Sequence, residues 1–250
     1  MINNLRKNIT IFTILFSLII FPTSLNARPI VLELFTSQGC SSCPPADKLL
    51  GELAQQDDLI ALSLHVDYWD SDGIWGWKDP HSSKENTDRQ RGYNTKNFKT
   101  NRNYTPQMVV EGFSHEVGSK EEEINLLLLR AKRMSRNEWR NIPIEFNRQN
   151  NNKLEIIVGK NLNDGLKAKQ NITLFSYDKI ITTKVGNGEN SGRTVTNHNV
   201  VKKIYNIGEW DGKEKSIIID LNKIIKTDKI AVIIQDKGLR NISGANSLDL

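Results

Sequence analysis

The sequence contains little cysteine: Cys40 and Cys43 are the only two among 250 residues. The thiol chemistry of this chain therefore belongs to one pair, in the order Cys-Ser-Ser-Cys. The sequence also lacks an internal repeat, a long low-complexity tract and an unbroken basic stretch. Basic and acidic residues alternate over residues 86–102 and 120–140, which is typical of solvated helix faces. Nucleic acid is accordingly not expected as a partner.

Long apolar runs are rare, and the first one lies at the start of the chain. Arg6 and Lys7 precede an acid-free apolar run over residues 9–21, and a proline and then the small residue Ala27 follow it. This pattern predicts that residues 1–27 are a secretory signal peptide. The run is short for a membrane span, so we expect membrane contact only if this segment stays uncleaved. Export would place the protein in the periplasm or outside the cell.

The cysteine pair lies between an apolar, β-branched run over residues 30–35 and a helix-like run from Pro44. A thiol at a helix start faces unpaired N–H groups and the positive end of the helix dipole, which stabilise its thiolate. We therefore expect Cys40 to be an exposed nucleophile and Cys43 a buried thiol that resolves mixed disulfides. The alternative is a permanent disulfide that fixes a loop, although closing so short a loop adds little stability.

The pattern of strands and helices changes partway along the chain. Residues 28–140 alternate in the order β, α, β, α, β, β, α, which together with the cysteine position predicts an α/β thioredoxin-like domain. Residues 141–250 contain short β-type runs separated by turn clusters, which predict a β-rich, sandwich-like domain. The expected fold class is thus a thioredoxin-like α/β domain followed by a β-rich domain.

Thr105, Pro106 and Glu33 are further candidate site residues. Thioredoxin-like folds place a cis proline opposite the cysteines, so we expect Pro106 to be cis and close to Cys40, with the Thr105 backbone free to bond a substrate chain. Glu33 interrupts an apolar strand, and a buried carboxyl group there can relay protons for the resolving cysteine. Alternatively, Glu33 reaches solvent or pairs with a lysine.

His65 and Asp67 close the second predicted strand, at the end where α/β sites gather. They are candidates for a proton relay, or for a metal site together with the cysteines; the alternative for His65 is a hydrogen-bonded structural role. Aromatic residues crowd the loop that follows, and they either line a peptide groove or form a small core of their own. These aromatic residues are Tyr68, Trp69, Trp75 and Trp77.

Six stretches of the mature chain resemble, in order, an uncharacterised family of secreted bacterial thioredoxin-like proteins, catalogued as domain of unknown function 1223. The stretches cover residues 33–47, 65–70, 76–80, 89–94, 104–112 and 192–201. This resemblance implies a thioredoxin-like first domain, export in a Gram-negative bacterium and a conjoined β-rich second domain.

Together these patterns predict an exported thiol–disulfide oxidoreductase that acts on protein thiols or disulfides and needs no cofactor. One alternative is a periplasmic copper-handling protein in which the two thiolates and His65 hold Cu(I), because soft thiolates select that ion. Another is an interaction module with an inert structural disulfide, in which the β-rich domain carries the binding function.

Overall fold

The computed structural model describes residues 27–72, 76–135, 141–161 and 169–250. Except for Ala27, the predicted signal peptide lies outside the described residues, as does Trp75. Within the described ranges, no helix is both long and apolar enough to cross a membrane.

The first half of the described chain alternates strands and helices in the predicted order. Its elements are β1 (Ile30–Thr36), α1 (Pro44–Leu53), β2 (Leu59–His65), α2 (Lys84–Gly92), β3 (Gln107–Val110), β4 (Ser114–Val117) and α3 (Glu121–Met134). Every residue of β1 and β2 is buried. These two strands are almost wholly apolar because both faces of the sheet are covered at this point.

The second half of the described chain consists of strands. They are β5 (Ile144–Gln149), β6 (Lys153–Val158), β7 (Gln170–Lys184), β8 (Thr194–Trp210), β9 (Lys215–Asp220), β10 (Lys229–Asp236) and β11 (Ile242–Asp249). The hairpin of β7 and β8 is unusually long, with strands of 15 and 17 residues. Typical strands have about 5–6 residues, so this hairpin reaches well beyond the strands beside it.

Strands from both halves join one eight-stranded mixed sheet in the order β11-β10-β7-β8-β2-β1-β3-β4. The junction is a parallel bridge between Ser63 in β2 and Val200 in β8, and the Asn199 side-chain amide donates to the Ala61 carbonyl at 2.8 Å. The predicted fold class, an α/β thioredoxin-like domain followed by a separate β-rich domain, is therefore wrong. The protein is mostly β, and its two halves share one sheet. They share it because β8 pairs with the edge of β2 that would otherwise be unpaired. The domain boundary at residue 140 stays a prediction.

Three apolar clusters hold the layers together. One lies between α1, α3 and one face of β1, where it includes Leu32, Leu34 and Leu50. The second lies on the opposite face of β1 and joins Phe35 to residues of β7 and β10 such as Phe175. The third packs the other face of β7 and β10 against a small sheet in the order β5-β6-β9. The disulfide loop lies at the end of β1, between the first layer and the β7–β8 hairpin.

Candidate functional site

Cys40 and Cys43 form a disulfide in the loop between β1 and α1. The Gly39 N–H donates to Ser37 Oγ at 3.0 Å, and the Cys43 N–H donates to the Cys40 carbonyl at 3.2 Å. Cys43 is the N-cap residue of α1, and prolines follow it in the first helical turn. Because proline has no N–H, neither can donate to a sulfur. The Ser42 hydroxyl does lie close, with its Oγ 3.4 Å from Cys40 Sγ.

Both cysteines are fully buried, each with 0% exposure, so the prediction of an exposed Cys40 is wrong. In the same loop Ser41 and Ser42 are exposed, which leaves the main chain of the loop near the surface while the sulfurs face inward. A later part of the chain lies over this loop, and that part was not visible in the local sequence pattern around the cysteines.

The covering segment is the turn between β7 and β8, residues 185–193, which we call the hairpin tip. The Asn190 amide donates to the Cys40 carbonyl at 2.9 Å, and the Glu189 carboxylate accepts the Ser41 N–H at 3.0 Å. Sequence reasoning missed both contacts. The available signal was the turn cluster just before the family-like stretch at residues 192–201, where asparagine and glycine are typical of an exposed turn.

Behind the loop lies a buried polar network that contains His65. His65 Nδ1 and Asp79 Oδ2 are 2.7 Å apart, and both side chains have no exposure to solvent. The same Asp79 oxygen accepts the Gln38 N–H at 2.8 Å. The Gln38 amide in turn donates to Thr183 Oγ1 and Asn197 Oδ1, at 3.0 and 3.2 Å. The network therefore connects the loop to β2 and to both strands of the long hairpin.

Three groups of this region, the buried Asp47 and His65 and the partly buried His81, have shifted pKa values. Burial raises the pKa of Asp47, one helical turn after Cys43, to about 6, although the Thr36 hydroxyl donates to its Oδ1 at 2.9 Å. Burial disfavours the charged form of His65, but the Asp79 carboxylate outweighs burial and raises the pKa of His65. Burial and the charge of His65 lower the pKa of His81 to about 4, so His81 is neutral at neutral pH.

Trp69 connects the loop to the predicted proline. The Thr105–Pro106 peptide bond is cis, as predicted. The Trp69 indole N–H donates to Thr105 Oγ1 at 2.7 Å. On its other side, Trp69 approaches Gly39: a Cβ built on this glycine would lie 3.5 Å from the Trp69 Cβ. Trp69 is partly buried against the core, so it bridges the residue before the first cysteine and the residue before the proline.

Glu33 lies on the face of β1 opposite to α1, which is the helix that Cys43 caps. Its carboxylate is bonded to the Arg89 guanidinium, with one Nη2–Oε2 distance of 3.0 Å, and to the Tyr93 hydroxyl. The structure does not bring Glu33 and Cys43 together on one face of the sheet. The contacts favour the ion-pairing alternative, with an arginine in place of a lysine, and the proton-relay role of Glu33 stays a prediction.

The other candidate residues have partners other than the sulfurs. Asp67 accepts a hydrogen bond from the Thr87 hydroxyl of α2 at 2.6 Å. Tyr68 is 38% exposed, while Trp77 packs against glycines of the hairpin tip. In the described part of the chain, no three histidine, cysteine or acidic side chains cluster to hold a metal ion. The copper alternative finds no third ligand in this part of the chain, because His65, whose Nδ1 is bonded to Asp79 and whose buried Nε2 has no hydrogen-bond partner, belongs to no such cluster.

A groove of about 690 Å³ runs between α1 and β8, next to the disulfide. Pro44 and Asp47 line its end near Cys43, and Val195 and His198 line the wall that β8 contributes. The helix and the strand approach closely beside this groove at Gly51, because its missing side chain leaves room for the His198 ring.

Comparisons with known proteins support one assignment. A crystal structure of the protein AGR_C_4864 from Agrobacterium tumefaciens is similar to this chain with a TM-score of 0.74 and 31% sequence identity, over 89% of this chain and 94% of that one. HBP35 of Porphyromonas gingivalis is similar with a TM-score of 0.54 and 14% identity, over 90% of this chain and 76% of that one, which concerns the fold alone. A search of curated proteins found no match.

The family model for proteins of unknown function called DUF1223 matches residues 31–235. This match covers the disulfide loop, the long hairpin and the junction between them within one family unit. The chain therefore belongs to the DUF1223 family.

Proposed function

We propose that the Cys40–Cys43 pair exchanges its disulfide with thiols of partner polypeptides. The observation that carries this proposal is the bonded pair at the start of α1, where the carboxyl ends of β1 and β2 meet. Sites of α/β sheets gather at such ends. A disulfide across so short a loop contributes little to stability through chain entropy, which favours a chemical role over a structural one.

The exchange has two steps. A thiolate of a partner dithiol attacks Cys40 Sγ, the bond between Cys40 and Cys43 breaks, and Cys43 leaves as a thiolate. The second partner thiolate then attacks the partner sulfur of the mixed disulfide and releases Cys40. The partner is oxidised to a disulfide, the pair is reduced by two electrons, and the two protons of the partner thiols pass to the two cysteines. The reverse reaction with a partner disulfide restores the starting state.

Nearby groups support this chemistry. The Ser42 hydroxyl, 3.4 Å from Cys40 Sγ, can donate a hydrogen bond to the sulfur when it carries charge. The groove between α1 and β8 begins beside Cys43 and offers a place for the partner chain. The predicted export of residues 28–250 belongs to the same proposal, because an oxidising compartment allows the disulfide to persist between turnovers.

A redox titration against glutathione, combined with serine variants, tests the proposal. We expect the wild-type pair to equilibrate reversibly between dithiol and disulfide. Cys40→Ser should lose exchange with a reduced model protein. Cys43→Ser keeps the Cys40 thiol, which should attack a model protein that carries a disulfide and accumulate a mixed disulfide that mass spectrometry detects. The double serine variant is the matched control. A disulfide that resists both glutathione and a reduced protein, with no mixed disulfide in Cys43→Ser, would contradict the proposal and favour an inert structural bond.

A further inference from the structure

We infer that the hairpin tip, residues 185–193, is a cap that closes the disulfide and must move before a partner thiol reaches Cys40. This inference rests on the proposed function, since it names how access to the same site is regulated. Its starting point is a conflict between chemistry and burial. A thiolate has to approach one sulfur along the S–S axis, yet both cysteines have 0% exposure.

The tip is bonded to the main chain of the cysteine loop. The buried Asn190 side chain donates to the Cys40 carbonyl at 2.9 Å and to the Gln38 carbonyl at 3.0 Å. The Glu189 carboxylate accepts the Ser41 N–H at 3.0 Å. These residues lie about 150 positions apart in the sequence, so the contacts arise from the fold and not from local turn geometry.

Main-chain groups of this kind are also what an extended polypeptide recognises, since its own N–H and C=O groups bond to an exposed backbone. The Ser41 N–H and the Cys40 carbonyl are the groups that a partner chain would bond while it presents its thiol. Glu189 and Asn190 occupy both of them. The tip therefore holds the position of the partner, and a partner polypeptide has to displace it.

Trp77 supports the tip from the side. A Cβ on Gly186 would lie 3.2 Å from the Trp77 ring, and one on Gly188 would lie 3.1 Å from the Trp77 Cβ. Gly188 also has a φ of +78°, a conformation that other residues rarely adopt. The two glycines thus let the tip lie against Trp77 and come close to the loop.

The hydrogen bond at the outer side of the hairpin tip is of a kind that breaks easily. Glu189 is exposed, and the bond that it makes to the Ser41 N–H lies at the surface, where water can replace it. The residues below the tip are held more firmly, because the Gln38 amide bonds to Thr183 and Asn197 in the two strands. Exposed hydrogen bonds open at low free energy, so opening begins at Glu189, while the buried bonds of Asn190 hold the tip closed at rest.

The test measures how fast dithiothreitol reduces the disulfide in the full-length protein, with released thiols detected by a chromogenic reagent. Asn190→Ala removes the two hydrogen bonds to the cysteine loop, together with one that Asn190 accepts from Arg193 within the tip. We expect the rate to rise about tenfold, since each net bond stabilises the closed state modestly. Glu189→Ala should give a smaller rise. Asn187→Ala is the matched control, because this exposed asparagine lies in the same tip, and its rate should equal that of the wild type.

Equal reduction rates in all four proteins would overturn the cap. Because Glu189 is exposed, Glu189→Ala keeps the test valid if Asn190→Ala fails to fold, which thermal melting will reveal. The outcome is also separable from that of the proposed function. If dithiothreitol reduces the variants faster but no partner dithiol is oxidised, the cap is supported and the exchange function is contradicted. If a partner dithiol is oxidised but the variants are reduced at the wild-type rate, the exchange function is supported and the cap is contradicted.

Discussion

The indole N–H of Trp69 donates a 2.7 Å hydrogen bond to the hydroxyl of Thr105. This bond ties the loop after β2 to the residue that precedes the cis proline, while Trp69 also lies against Gly39 beside the first cysteine. The Trp69 side chain thus contacts both the cysteine loop and the residue before the cis proline, two segments that the sequence predicts to belong to one site.

Thr105→Val removes the acceptor of this bond and keeps the shape of the side chain, so we expect it to weaken exchange with a reduced protein several-fold. Stability should fall by about 1 kcal/mol, the usual net contribution of one hydrogen bond. Thr105→Ser keeps the hydroxyl and is the control. Rates with a reduced model protein and melting curves provide the measurement. Equal rates for valine and serine would show that the bond does not position the site.

Asp47 makes stability depend on pH. Its pKa is raised to about 6 in the folded protein from an ordinary value near 3.8, so the folded state binds the proton more tightly than the unfolded chain. Its contribution to stability is fully present below pH 3.8 and is lost as pH rises through about 6. The loss is about 3 kcal/mol, because one pKa unit corresponds to about 1.4 kcal/mol.

Asp47→Asn cannot ionise and should therefore be more stable than the wild type at pH 8, with the difference vanishing near pH 3.5. Urea unfolding at both pH values measures this. His65 acts in the same direction, since its raised pKa also favours the folded protein at low pH. The Asp79 carboxylate, which contributes more to this shift than Asp47 does, stays in the variant. Asp57→Asn is the matched control, because it makes the same substitution at an exposed position.

Glu33→Gln leaves the buried Arg89 guanidinium without its counter-charge, so we expect a loss of about 3–5 kcal/mol in stability. Under conditions where the variant is folded, the rate at which dithiothreitol reduces the disulfide and its pH profile should match the wild type, because Glu33 and α1 lie on opposite faces of β1. A changed pH profile with normal stability would instead support the predicted proton relay.

Gly51→Ala places a Cβ 2.5 Å from the Cδ2 atom of the His198 ring, which is a clash between α1 and β8. We expect a loss of about 1–3 kcal/mol, the usual cost of overpacking. In a His198→Ala background the same substitution should stabilise by up to about 1 kcal/mol, since alanine is the better helix former. A double-mutant cycle from urea unfolding checks the change of sign. Additive effects would show that the two residues do not press on each other.

Local patterns predicted much of this molecule. The sequence predicted the first elements and the cysteine loop, because their signals are local: the apolar runs of β1 and β2, and Pro44 at a helix start. The cis form of Pro106 followed from its place in the element order. The strands and the helix start depend on a few neighbouring residues, and for that reason periodicity and spacing predict them.

The burial of Cys40 was not predictable in the same way. The Cys40 carbonyl is bonded to Asn190, which stands in a glycine-rich turn whose composition is that of an exposed loop. The fold class was wrong for a related reason: alternation identifies β8 as a strand, but not the edge of β2 as its partner. From the sequence alone, Asp79 is likewise a loop residue without a role. Its contact with His65 exists only because the fold brings β2 beside that loop. Long-range partners of this kind are set by packing, which a single sequence does not state.

The junction of β8 with β2 also bears on how the protein is made. A chain that is synthesised from its amino end presents β1, α1 and β2 before β8 exists, so the disulfide loop is then uncovered. The bond between Asn199 and Ala61 joins residues 138 positions apart, and contacts of such separation form late because a long loop must close first. We expect the cysteine pair to be open to oxidants and reductants in the nascent chain and to become shielded when folding ends. The redox state of the pair in the newly folded protein then depends on whether oxidation or the pairing of β8 with β2 comes first.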